Sequence, residues 1–89
     1  VNKKQQKTLK KIFERPTRAD ISWSDVKSLL SACNADIREG KGSRTRIVLK
    51  SQILNLHKPH PQKELKKYAV ELVRDFLKIT GVSPHEKHS

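Results

Sequence analysis

Arg44-Thr45-Arg46-Ile47-Val48-Leu49, then Lys50-Ser51-Gln52, then Ile53-Leu54-Asn55-Leu56-His57, is the stretch whose pattern sets the fold. Two short runs rich in aliphatic and β-branched residues flank a tight polar connection, which is the signature of a β-hairpin. Strand side chains alternate between faces. Thr45, Ile47 and Leu49 therefore share one face, with Arg44, Arg46 and Val48 on the other. In the second run Leu54 and Leu56 oppose Ile53, Asn55 and His57. The least costly packing turns Ile47, Leu49, Leu54 and Leu56 toward helices and leaves Arg44, Arg46, Asn55 and His57 in water. A slip of one residue in the pairing would invert that assignment.

Upstream of the hairpin, Asp36–Glu39 reads as a shorter, weaker strand, and Gly40-Lys41-Gly42-Ser43 as a turn. Before it lies a helix in which Val26, Leu29, Leu30 and Cys33 recur at i, i+3, i+4, i+7, one buried stripe. Ser22 and Asp25 have capping-box spacing at its start, with Ser24 as a rival N-cap. Trp23 reads as a packing residue at the helix entry, with stacking on a base as the alternative, and Cys33 as a small core residue. A first helix over residues 3–14 places Leu9, Ile12 and Phe13 on one side and its lysines on the others; Pro16 stops it. Downstream, Lys58-Pro59-His60-Pro61 cannot be helical, because each proline restricts the residue before it. A last helix runs from about Lys66 to Thr80 on the stripe Leu65, Ala69, Leu72, Val73, Phe76 and Leu77, ended by Gly81 and Pro84.

The expected fold class is therefore α+β: a three-stranded antiparallel sheet with helices packed on one face, plus an extra N-terminal helix. Eighty-nine residues of 10.2 kDa allow a single core. The division expected is a basic helical extension at 1–18, the main domain at 19–83 and a flexible tail at 84–89.

Charge narrows the function. Twenty Lys and Arg stand against nine Asp and Glu, a net charge of +11. Such an imbalance costs self-repulsion unless an anion is met, so a polyanion is the leading partner, nucleic acid foremost. A membrane surface fits poorly, since the basic first helix has too few apolar residues to insert. No apolar run is long enough to span a bilayer, and no signal-peptide pattern follows the basic start. The lone Cys33 excludes an internal disulfide and a four-cysteine zinc site. A reducing cytoplasm is the simplest setting.

Chemistry rests on few candidates. The Gly40–Ser43 turn lacks the spacing and the following helix of a nucleoside-triphosphate loop. As a glycine turn beside Arg44 and Arg46 it suits contact with an RNA phosphate. His57 and His60 are three apart, as are His85 and His88, but neither pair sits on a helix face, so no metal is expected. An exposed imidazole on a basic surface suits proton transfer from a ribose 2′-hydroxyl, with neighbouring cations stabilising charge on the phosphate. His57 equally suits contact with RNA or a partner, or an ordinary surface position.

From Ser22 to Val82 the chain resembles the HicA family of bacterial toxins, the small RNA-cleaving partners of HicB antitoxins. The likeness is carried by Ser24-Asp25-Val26-Lys27-Ser28-Leu29-Leu30, by Gly42-Ser43 leading into a basic strand, and by His60-Pro61-Gln62-Lys63-Glu64-Leu65-Lys66 before the closing helix. The resemblance implies a fold like a double-stranded-RNA-binding domain and metal-independent cleavage of mRNA without a cofactor. It also implies neutralisation by a HicB-like antitoxin protein covering the active face. The family's catalytic histidine lies at or just after the Gly-Ser turn, where this chain has Arg44 and Thr45. Three readings stay open: His57 on the adjacent strand supplies the imidazole to the same face, the protein binds RNA and cuts poorly, or a native histidine has been replaced. On the first of them His57 is the preferred general acid/base and His60 the reserve. Lys41, Ser43, Arg44, Arg46, Asn55, Lys58 and Lys63 are the expected RNA contacts. The rivals are a non-catalytic RNA-binding module and a helix-turn-helix DNA-binding protein; against the latter, strands rather than a recognition helix follow the second helix.

Overall fold

Lys50 and Ser51 both take left-handed backbone angles (φ 49° and 67°). That is the two-residue turn whose twist matches the strands it joins. It connects β2 (Arg44–Leu49) to β3 (Gln52–His57) in antiparallel register, from Leu49↔Gln52 to Arg44↔His57. β1 (Asp36–Glu39) pairs with the other side of β2, Ile37 opposite Ile47 and Arg38 opposite Arg46, so the sheet order is β1-β2-β3. Three helices, α1 (Lys3–Phe13), α2 (Trp23–Ala32) and α3 (Lys67–Ile79), complete the fold among the described residues. The computed structural model describes residues 1–84. The tail expected from His85 onward, with its histidine pair, lies outside the described residues.

The α+β class read from the sequence is the one observed. Ile47, Leu49, Leu54 and Leu56 are buried against the helices, while Arg44, Arg46, Asn55 and His57 are exposed on the open face. Val26, Leu29 and Leu30 of α2 and Val70, Val73 and Leu77 of α3 belong to the same core, all fully buried. Each such aliphatic side chain contributes about 1.5–3 kcal/mol. The Ser22 hydroxyl accepts from the Asp25 N–H at 3.1 Å and so caps α2, settling the choice between Ser22 and Ser24. Trp23 is buried at the helix entry, and Cys33 is half-buried at the helix end, where burial pushes its thiol pKa up.

α1 carries a full capping box that the sequence reading passed over. The Asn2 side chain accepts from the Gln5 N–H at 2.8 Å, and the Gln5 side chain accepts from the Asn2 N–H at 2.9 Å. Its Leu9 and Ile12 enter the common core.

The stripe expected on α3 needs one correction. Leu72 is 41% exposed, while Val70 and Arg74 are buried. The cause is the position of α1: Arg74 turns toward it and donates to the Ile12 carbonyl (2.8 Å), the Glu14 carbonyl (3.0 Å) and the Thr17 hydroxyl (3.1 Å). Those carbonyls end α1 and would otherwise lack partners. Satisfying them rotates Leu72 to the outer flank. No described helix is long and apolar enough to cross a membrane.

Candidate functional site

The β1–β2 turn is built by its glycines. Gly42 takes φ +65°, a conformation that costs an ordinary residue roughly 1–2 kcal/mol. The Gly40 N–H donates to the Arg44 carbonyl at 2.8 Å, closing the turn on β2. On the other side of β2, the Lys58 N–H donates to the Ser43 carbonyl at 2.8 Å, extending the β2–β3 ladder past His57. This second clamp brings Ser43 beside His57, and the Ser43 hydroxyl lies 3.1 Å from His57 Nδ1. Arg44 faces His57 directly in register. Ser43, Arg44 and His57 thus form one cluster at the start of β2.

A row of polar side chains crosses the open face next to it. Arg38, Arg46 and Asn55 are opposed in register across β1, β2 and β3. With Gly40, Arg44 and His57 they line a shallow open cleft of about 490 Å³. Arg38 lies 3.2 Å from the carboxylate of Asp36 on its own strand. Among the described residues, neither Arg44 nor Arg46 has an ion-pair partner. Two exposed guanidiniums of β2, one opposite His57 and one opposite Asn55, therefore share the open face with an imidazole whose Nδ1 lies beside the Ser43 hydroxyl.

The remaining expected contacts spread more widely. Lys41 is exposed at the turn tip. Lys58 is drawn to Glu39 at 3.4 Å, and Lys27 of α2 meets the same carboxylate at 3.6 Å. Glu39 pairs in register with the buried Thr45, so its side chain leaves the sheet on the helix side. The nearby indole N–H of Trp23, followed by Lys27 and Lys58, holds the Glu39 carboxyl below its ordinary pKa; that N–H makes no hydrogen bond of good geometry. Lys63 lies at the α2 entry, where its carbonyl accepts from the Trp23 N–H at 2.9 Å, and it lines a second depression with Trp23, Ser24 and Pro59. His60 is exposed in the bend after β3 and does not line the cleft.

The structure thus gathers Ser43, Arg44, Arg46, Asn55 and His57, and places Lys58, Lys63 and His60 elsewhere. It adds Arg38, which the sequence reading counted only as charge. Alternation along β1 carried the signal, since Arg38 falls on the same face as Arg46. The described residues contain no group of three or more His, Cys, Asp or Glu able to hold a metal ion.

A three-stranded sheet covered on one side and cationic on the other defines a small α+β domain with an open basic face. Residues 23–82, two thirds of the chain, match the family model described as the HicA toxin of bacterial toxin–antitoxin systems, and the chain belongs to that family. A toxin of this kind implies a cognate antitoxin. No curated protein and no solved structure matches the chain.

Proposed function

We propose that this protein is the RNA-cleaving toxin of its toxin–antitoxin pair. It binds mRNA on the open sheet face and cuts it by metal-independent acid–base chemistry, and a HicB-like antitoxin silences it by covering that face. The observation that carries the reading is the Ser43–His57 contact on the same face as two guanidiniums, Arg44 and Arg46, that lack carboxylate partners among the described residues. The unpaired arginines are suited to phosphate oxygens, which guanidinium forks bind in two-point fashion.

Histidine as a residue type changes charge near neutral pH and serves as acid or base there. In the tautomer with its proton on Nδ1, the His57 ring donates to Ser43 Oγ and keeps the Nε2 lone pair free. Nε2 takes the proton from a ribose 2′-hydroxyl. The 2′-oxygen then attacks the adjacent phosphorus and the P–O5′ bond breaks. The products are a 2′,3′-cyclic phosphate and a 5′-alkoxide that takes a proton from water. Arg44 and Arg46 stabilise the charge that builds on the phosphate oxygens in the transition state. Arg44 stands where the family's histidine is expected, so the imidazole comes from the neighbouring strand to the same patch of sheet.

The test is incubation of labelled single-stranded RNA with the protein in excess EDTA, alongside His57→Ala and His60→Ala. Cleavage by the wild type and His60→Ala, lost in His57→Ala, is expected. Cleavage that survives His57→Ala overturns the assignment of His57. Intact RNA that the wild type still binds reduces the protein to an RNA-binding module.

A further inference from the structure

Along β2 and β3 the open face is built of three rows of unlike chemistry. Arg44 and His57 oppose each other in the first, Arg46 and Asn55 in the second, Val48 and Ile53 in the third. Alternate residues of a strand lie about 6.5 Å apart, close to the reach of one nucleotide in an extended single strand. On the β1 side, Arg38 continues the second row and Asp36 the third.

The unpaired cations stop at the second row. Beyond it Val48 is half-buried, Ile53 is 51% exposed and Asp36 is an acid that already holds Arg38 at 3.2 Å. An apolar pair beside a carboxylate repels a phosphate and offers its surface to the flat face of a base. In a duplex those faces are stacked inside the helix, so the third row favours a single strand, whose bases are splayed out.

Asn55 stands between the cations and the apolar pair. Its amide carries a donor and an acceptor side by side. The side chain is exposed, and no side-chain hydrogen bond among the described residues engages it. Arg46 opposite is suited to the phosphate of the same nucleotide, which leaves the amide for the base. Proteins read unpaired bases on their Watson–Crick and Hoogsteen edges. Adenine sets an acceptor beside its amino donor on both edges, at N1 and at N7, so an Asn amide pairs with it twice over in either orientation. Cytosine, uracil and guanine offer such a pair on the Watson–Crick edge alone.

We propose that the second and third rows are a base-reading subsite for single-stranded RNA. Asn55 pairs with the edge of an adenine one nucleotide along from the phosphate at Arg44 and His57, and the next base lies on Ile53 and Val48. The inference rests on the RNA-binding reading of the open face and is independent of cleavage.

The experiment is fluorescence anisotropy with the full chain and 2′-O-methyl uridine octamers, which lack the hydroxyl proton that cleavage needs. Each octamer carries at its centre a uridine, adenosine, cytidine or guanosine, and a duplex of the same length is the control. The adenosine octamer is expected to bind about tenfold more tightly than the other three, and the duplex more weakly than any of them. Asn55→Ala removes the preference for adenosine and leaves the salt slope unchanged, because no charge is lost. Ile53→Ser weakens every octamer about threefold or more and keeps the preference. Should Asn55→Ala fail to fold, Asn55→Thr, a good strand former without an amide, takes its place. Equal affinity for the four octamers overturns the inference, as does an adenosine preference that survives both Asn55 variants. A guanosine preference overturns it and gives the base to Arg46. A duplex bound as tightly as the octamers overturns the single-strand assignment. Failure to bind any of these RNAs overturns the RNA reading itself, whereas binding indifferent to the base overturns this subsite alone.

Discussion

Replacing Arg46 by alanine removes the central guanidinium of the Arg38–Arg46–Asn55 row, and no carboxylate loses a partner when it goes. If Arg38, Lys41, Arg44 and Arg46 each neutralise one phosphate, log K for single-stranded RNA falls against log[salt] with a slope of about −2.8. Affinity then drops roughly 50-fold between about 50 and 200 mM salt. Arg46→Ala lowers the slope to about −2.1 and the drop to roughly 20-fold. At fixed low salt it also removes a charge-assisted contact of about 1.5–3 kcal/mol, which is roughly tenfold or more in affinity. The assay is fluorescence anisotropy of labelled RNA titrated at several salt concentrations, in the His57→Ala background so that the ligand stays intact. A wild-type slope shallower than about −1 refutes the electrostatic face. A weakened Arg46→Ala protein with an unchanged slope assigns Arg46 a structural role.

Two further predictions concern stability. Arg74→Ala leaves two α1 carbonyls and the Thr17 hydroxyl without their donor, an expected cost of about 2–4 kcal/mol by urea unfolding; a loss under about 0.5 kcal/mol would mean water replaces the guanidinium. Asp20 accepts from Arg18 at 2.6 and 2.8 Å, and this pair holds its carboxyl at about 2, against an ordinary 3.8. A carboxyl depressed in the folded state adds stability above its unfolded pKa and loses it as pH falls through the folded one. Asp20→Asn should therefore leave a melting temperature that falls less between about pH 4 and 2, and identical acid profiles for the two proteins would contradict the assignment.

The sheet was legible because alternation in residues 44–57 is strong and its buried set, Thr45 apart, is aliphatic: Ile47, Leu49, Leu54 and Leu56. One helix face was harder. Apolar residues surround much of α3, so periodicity alone could not tell the flank facing α1 from the outer one, and Leu72 exchanged places with Val70. Arg74 was invisible for a different reason. A buried guanidinium is intelligible only once the end of α1, more than fifty residues upstream, supplies its acceptors. At the site, alternation placed Arg44, Arg46, Asn55 and His57 together on one face. The Ser43–His57 contact depends on strand register between residues fourteen apart, which composition does not encode. Lys58 went to Glu39 because an acid leaving β1 on the helix side attracts the nearest lysines, a consequence of which way Glu39 points.

The central claim is that His57 draws a proton from a ribose 2′-hydroxyl. It is tested most directly by offering the protein an RNA and the DNA of the same sequence in EDTA, and analysing the product ends by mass spectrometry. The account predicts that the RNA alone is cut, leaving 2′,3′-cyclic phosphate and 5′-hydroxyl ends, and that His57→Ala binds both strands and cuts neither. Cleavage of the DNA, or RNA products ending in a 5′-phosphate, would contradict it.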